Sequence, residues 1–261
     1  MTATRLWQDL PWPAFRELPR NTIALLPVAS TEQHGPHLPL SVDTVIGEGV
    51  VHATLARLPA ELPLLVLPTV KVALAAEHLR YPGSLTLSAE TLLALVTDIG
   101  ASVARAGIDR LVIINSHGGN IPVLETAAFR IRLAHSILVL NTAWPRHGRP
   151  AALHDPVEAA FGIHAGRDET ALMLALSPAS VRMESARDFT SRLMALPPAL
   201  RAMPPGWQAQ DLHPAGAVGN AAVASPAMGQ ALLDHAAAAL ASLFTQLAAF
   251  DVAAWIREDE A

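Results

Sequence analysis

The stretch between residues 22 and 43 constrains this chain most. An apolar run, Thr22 to Val28, leads into Glu32-Gln33-His34-Gly35-Pro36-His37-Leu38-Pro39-Leu40-Ser41-Val42-Asp43. A short, uninterrupted apolar run bounded by turn residues reads as a buried strand. Two carboxylates and two imidazoles therefore stand at the strand's C-terminal end, where open α/β sheets place their sites. Oxygen and nitrogen donors at this density suit divalent cations of the Zn, Mn or Fe kind.

Two further clusters share this setting. Asn115-Ser116-His117-Gly118-Gly119-Asn120 follows the buried-strand run Leu111 to Ile114, and His164-Ala165-Gly166-Arg167-Asp168-Glu169-Thr170 opens the apolar segment Ala171 to Leu176. Read singly, a strand-end histidine is more often a hydrogen-bonded structural residue than a ligand. The conjunction of three such clusters points to one convergent pocket.

Strand-like runs at Thr22–Val28, Leu64–Leu67, Arg110–Ile114 and Ser136–Leu140 alternate with helical patterns at about Thr44–Leu58, Ala89–Ala106 and Pro122–Ala134. Ser88 is placed to cap the second helix and Gly107 to stop it. The alternation predicts an α/β fold in one domain spanning 1–261, with a mostly parallel central sheet covered on both faces. The Pro- and Gly-rich segment Leu196–Gly219 is expected to form a long ordered loop near the site. His235 to Trp255 is largely apolar, but Gln246 and Asp251 interrupt it, and Leu233, Leu240, Phe244, Leu247 and Phe250 recur at helical spacing. A docked amphipathic helix at about 226–250 is expected there, not a membrane span.

At these motifs the chain resembles the creatininase (creatinine amidohydrolase) family. The resemblance is carried by Ser30 to His37, by Glu77-His78-Leu79-Arg80-Tyr81-Pro82-Gly83-Ser84, by Asn115 to Asn120 and by His164 to Thr170, in the family's order, and it covers roughly residues 20 to 230. It implies a three-layer α/β/α sandwich, a metal-dependent amidohydrolase that cleaves a C–N amide bond of a small molecule, and a homo-oligomer, commonly a hexamer. It also implies two divalent ions per chain with Asp43 bridging them, Glu32 and His117 completing one site, and His34 and Glu169 the other. Three carboxylates and one hydroxide would then cancel the charge of two divalent ions, and the hydroxide would be the nucleophile. Asp168 competes with Glu169 for the last position. His164 is the candidate proton shuttle to the leaving nitrogen, because an unperturbed imidazole titrates near neutral pH; its alternative is a hydrogen-bond partner of a ligand carboxylate. Glu77 and His78 are expected to line the substrate side, and His37 to be structural. His52, His135 and His235 fall on helical patterns as ordinary residues.

One departure separates this chain from the creatinine-hydrolysing branch, which carries an acid in its version of the His117 motif. Here Gly118 and Gly119 follow the histidine. Creatinine is therefore not the expected substrate. Deformylation of a formamide and trimming of a mycofactocin-type precursor peptide are the alternatives within the family. A metal-binding regulatory protein is the alternative outside it.

Composition excludes several other classes. Hydrophobic residues make up 51% and charged residues 16%, which excludes a disordered chain. The net charge of −5 comes with no basic stretch, so no nucleic-acid partner is expected. There is no cysteine, hence no thiolate chemistry. Neither the Gly-x-Ser-x-Gly of a serine hydrolase nor the Gly-x-Gly-x-x-Gly of a dinucleotide site occurs. Met1 to Trp7 lacks the apolar core of a signal peptide, and a cytoplasmic location is expected.

Overall fold

The computed structural model describes residues 5–201 and 206–256. Part of the Met1–Trp7 reading and the middle of the Leu196–Gly219 segment thus lie outside the described residues. The chain runs β1 (Ile23–Val28), α1 (Val42–Leu55), β2 (Leu64–Val66), α2 (Ala89–Arg105), β3 (Arg110–Asn115), α3 (Ile121–His135) and β4 (Leu138–Ala143). It continues through α4 (Pro156–Phe161), α5 (Arg167–Leu176), β5 (Asp188–Phe189), α6 (Pro198–Arg201), α7 (Ala209–Leu212), β6 (Gly219–Asn220), α8 (Pro226–Ala249) and α9 (Val252–Trp255). Strands β1 to β4 form one parallel sheet in the order β2-β1-β3-β4, with Ile23 paired to Leu64 and Arg110, and Arg110 paired to Leu138. The two-residue strands β5 and β6 pair antiparallel apart from it.

Both faces of the sheet are covered, which explains the uninterrupted apolar runs. Along β1, Ile23 and Leu25 enter a core shared with α1, α5 and α8, while Ala24, Leu26 and Val28 enter the core under α2 and α3. Along β3, Val112 and Ile114 go to the first core, and Leu111 and Ile113 to the second. The alternation is the period of a strand, and the result is the expected three-layer α/β/α sandwich. Ser88 caps α2 by accepting from the Thr91 N–H, and Gly107 follows the helix at φ +80°.

Two boundaries differ from expectation. Ser136 is not in β4: it takes a left-handed conformation at φ 51° and its N–H donates to the Arg132 carbonyl, ending α3. The strand begins at Leu138 and continues through the polar Asn141 and Thr142, which an edge strand tolerates; the Asn141 side chain donates to the Leu124 carbonyl at 2.9 Å. Phe250 lies past the end of α8 and is 43% exposed, so it does not belong to the buried stripe of Leu233, Leu240, Phe244 and Leu247. By length and composition α8 is apolar enough to cross a bilayer, but that stripe packs on α5 and α1 as a core helix does.

The strand order places the site. The chain leaves β1 toward β2 on one side and reaches β3 on the other. The crevice beyond the C-terminal ends of β1 and β3 is therefore a topological switch point, where ligands bind in such sheets. The loop from 206 to 219 reaches this end, with Val218 bridging to His164.

The contact of α8 with α5 is close because Gly229 has no side chain. A Cβ there would fall 1.9 Å from the Ala171 carbonyl oxygen. Gly229→Ala raises intrinsic helix propensity by about 1 kcal/mol, but the overpacking is expected to win, with a net loss of about 1–3 kcal/mol in urea denaturation. Stability equal to the parent's would contradict the packing described.

Candidate metal centre

Three chain segments converge at the switch point. After β1 the chain doubles back: the Glu32 N–H donates to the Leu40 carbonyl, His34 bridges Leu38, and Gly35 turns at φ +69°. This return delivers Asp43 on the first turn of α1, facing Glu32 and His34. After β3, the Asn115 side chain fixes the next turn by accepting from the His117 N–H at 3.2 Å and from the Asn120 amide at 3.1 Å. Glu169 sits in the first turn of α5, and its Oε2 accepts from the Ala165 N–H at 2.6 Å. Ala165 is buried at φ +54°, an uncommon conformation for a residue with a side chain.

All five expected ligands meet. His117 Nδ1 lies 2.9 Å from Glu32 Oε1 and 3.6 Å from Asp43 Oδ2. His34 Nε2 lies 3.4 Å from Asp43 Oδ1, 3.8 Å from Glu169 Oε2 and 4.0 Å from Glu32 Oε1. Asp43 thus stands between the two imidazoles, one oxygen toward each. The three other residues singled out stand around them: His78 Nε2 is 3.3 Å and His164 Nδ1 3.7 Å from Glu32 Oε1, and Glu77 Oε1 is 3.3 Å from His117 Nε2.

The donor atoms are poorly satisfied by the protein itself. Both Glu32 oxygens, His34 Nε2, Asp43 Oδ2 and His117 Nε2 are buried without a well-aligned hydrogen bond, although His117 approaches Glu32 and Glu77 as an ion pair. Leaving such atoms unpaired costs several kcal/mol each, and native proteins rarely do so without a ligand. Three sets of these residues can each hold a cation: Glu32, His78 and His117; His34, Asp43 and Glu169; and Glu32, His34 and His164. The donor set is buried, mixed carboxylate and imidazole, and fits divalent metal.

Protonation in the metal-free chain is strained accordingly. Burial and the charge of Asp43 push Glu32 up to about 7. Burial also raises Glu169. Burial opposes protonation of His34, but Asp43, Glu169 and Glu32 override it and hold His34 at about 9; His117 is likewise raised, against its burial, by Glu32 and Glu77. Protons here stand where cations would, so metal binding is expected to release them.

The structure corrects one ground for the His164 expectation. His164 does not have an unperturbed imidazole: burial, then His34 and His78, hold it well below the usual histidine range. It also separates Asp168 from Glu169. Asp168 points away from the centre and is ion-paired with Arg149 and Arg167, while Glu169 faces His34. His37 is buried and bonded to Thr170 Oγ1 at 2.9 Å, the structural role expected of it. Gln33 and Glu158 were not legible as site residues. The Gln33 amide contacts His78, His164 and the Gly216 carbonyl. The buried Glu158 carboxylate accepts from the Arg167 and Asn220 N–H groups and so ties the start of α5 to β6. A cleft of about 210 Å³, with Ile121, Trp144, Arg146 and Ile163 in its walls, opens onto His117 and Glu169.

A family model described as creatinine amidohydrolase, Creatininase, matches residues 8–244. The chain belongs to the creatininase family. This creatininase-family chain is 38% identical over 166 residues to a mycofactocin precursor peptide peptidase of Mycobacterium tuberculosis, a match covering 61% of each chain. It is 29% identical over 199 residues to the creatinine amidohydrolase of Pseudomonas putida, covering 69% of this chain and 75% of that one. Its fold matches a crystal structure of a creatinine amidohydrolase with TM-score 0.75 and 25% identity, over 93% of this chain and 97% of the other.

Two predictions follow from the geometry. Glu169→Gln keeps the shape and removes a ligand charge, and is expected to weaken one metal site at least about tenfold in titrations followed by native mass spectrometry. Asp168→Asn is expected to act on stability instead, costing about 1–3 kcal/mol, because it removes the charge partner of the buried Arg167 and the half-buried Arg149. The reverse pattern would show that the ligand set is wrong. The metal-free protein should also lose stability as pH rises from 6.5 through about 9, since His34 is protonated more readily folded than unfolded. The depressed His37, His78 and His164 oppose this trend only near 6.5 and are neutral in both states about one pH unit higher. Scanning calorimetry of chelated protein checks it; a melting temperature that climbs over that range contradicts it.

Proposed function

We propose that this protein is a metal-dependent hydrolase that cleaves a C–N amide bond in a small cyclic or linear amide. The convergence of four buried residues with unsatisfied donor atoms, Glu32, His34, Asp43 and His117, together with the half-buried Glu169, at the switch point of a creatininase-family chain carries the reading. Two divalent ions of the Zn, Mn or Fe kind would be held, one by Glu32 and His117, one by His34 and Glu169, with Asp43 shared. That sharing is supported by the two Asp43 oxygens facing different imidazoles. When bound, such ions supply a Lewis acid for the substrate carbonyl and acidify water enough to attack near neutral pH.

The chain's own groups manage substrate and protons. The cleft beside His117 and Glu169 offers an apolar wall of Ile121, Trp144 and Ile163 to the amide. His164, with Nδ1 toward Glu32, takes the proton lost by the attacking water and returns it to the leaving nitrogen. Its depressed pKa makes the protonated ring a ready donor for that second transfer. Glu77 orients His117, and His78 packs beside His164 and Glu32.

Peptide or formamide cleavage is favoured over creatinine hydrolysis by two observations. Identity is higher to the mycofactocin precursor peptide peptidase than to the creatinine amidohydrolase. Gly119 also supplies no side-chain oxygen, and a Cβ there would come within 2.3 Å of Glu77 Oε1, so Glu77 holds the space such a side chain would need. A homo-oligomer, in keeping with the hexamer expected of the family, is supported by Ile121, Phe129 and Leu133, which leave apolar surface exposed on α3; a monomer in light scattering would refute it. A cytoplasmic location belongs to the same reading.

The test is turnover of formamides, short peptides and creatinine by protein stripped with chelator and reloaded with Mn or Zn. Metal-dependent hydrolysis is expected, with creatinine the poorer substrate. Efficient creatinine turnover would refute the substrate preference. A fully metal-loaded protein that hydrolyses no amide would favour a regulatory metal-binding role.

A further inference from the structure

The Gln33 side chain lies between two of the imidazoles, and its orientation is fixed by backbone on both ends. Its Oε1 accepts from the Gly35 N–H at 2.9 Å, and its Nε2 donates to the Gly216 carbonyl at 2.8 Å. A flipped amide would set oxygen against a carbonyl and N–H against N–H. Gly216 itself sits at φ +76°, and a Cβ there would fall 2.4 Å from Gln33 Oε1, so the loop is shaped around this amide.

Proton counting then assigns both rings. The second Nε2 proton of Gln33 goes to His78 Nδ1 at 2.8 Å, because the other ring nitrogen in reach, His164 Nε2 at 3.2 Å, is itself a donor to the Gln33 carbonyl. His78 Nδ1 therefore carries no proton, and the neutral ring is protonated at Nε2, which faces Glu32 Oε1 at 3.3 Å. His164 Nε2 lies 2.8 Å from the Gln33 backbone carbonyl, which only accepts, so that nitrogen carries the proton. The 3.2 Å contact between His164 Nε2 and the Gln33 amide nitrogen is then an approach of two donors, and no proton is left over. His164 Nδ1 is bare and faces Glu32 at 3.7 Å.

We propose that Gln33 is a positioning residue that holds His78 and His164 in opposite roles, His78 presenting an N–H to the centre and His164 a lone pair. The two rings lie against each other with centroids 4.4 Å apart, yet only His164 can take up a proton at the atom facing the centre. This deepens the reading of His164 as the group that accepts the proton of the attacking water and passes it to the leaving nitrogen. One proton is gained and one lost, and the ring returns to its starting tautomer. His78 cannot serve as that base while Gln33 donates to it.

Neutron diffraction from a deuterium-exchanged crystal of the metal-loaded protein tests this directly. Deuterium is expected on Nε2 of both rings and on Nδ1 of neither. Deuterium on His78 Nδ1 or on His164 Nδ1 would overturn the proposal. In Gln33→Glu a carboxylate accepts where the amide donated, so the His78 deuterium is expected to move to Nδ1, a change that a merely structural loss would not produce. A His78 that keeps its deuterium on Nε2 in this variant would show that Gln33 does not set the tautomer. The maps are read whether or not the protein turns over an amide, so the proposed hydrolase activity and this assignment can fail separately.

Discussion

A single buried carboxylate organises this molecule. Glu32 is fully enclosed, with four imidazoles and the Asp43 carboxylate around it. A carboxylate without water or a hydrogen-bond donor is costly, and a second one beside it adds repulsion. The chain alone answers with protons, raising Glu32 and holding His34 and His117 protonated. Divalent cations answer better: they carry more charge, satisfy several lone pairs at once and leave the imidazoles neutral. The unsatisfied atoms at the centre and their shifted protonation are two views of this one constraint.

The sheet supplies the rigidity that such a site needs. Strands β1 and β3 lie at its middle, buried on both faces, and their C-terminal ends present the two loops that carry Glu32, His34 and His117. Asp43 and Glu169 come instead from the first turns of α1 and α5, where unpaired N–H groups and the helix dipole favour negative charge. The start of α5 is held in turn by Glu158, whose carboxylate is enclosed by Gly162, Gly166 and Gly219; a Cβ on any of them would fall within 2.7 Å of it. Glycine at these positions lets three segments close on one carboxylate and so fixes where Glu169 begins.

Much of this was legible in the sequence, for physical reasons that also mark where legibility ended. β1 and β3 are plain because burial on both faces leaves Ile23–Val28 and residues 111–114 without a polar position. β4 was blurred because Asn141 and Thr142 sit on an edge. The three clusters that carry the donor residues stand out because acids and histidines crowd the ends of apolar runs, while the choice of five ligands among them is what the family resemblance implies. Asp168 and Glu169 could not be separated from spacing alone: adjacent helical residues differ by about 100° in direction, and only the placement of Arg149 and Arg167 decides which faces the centre. Gln33 carries no signal in the sequence because its meaning depends on Gly216, far along the chain. The protonation of His164 is a property of burial, which sequence does not display.

Crystals grown with Mn or Zn and measured at the metal's absorption edge test the central claim most directly. Two anomalous peaks are predicted, one in ligand reach of Glu32 and His117 and one of His34 and Glu169, each also touching Asp43. A single peak, or full metal loading at other residues, would contradict the account.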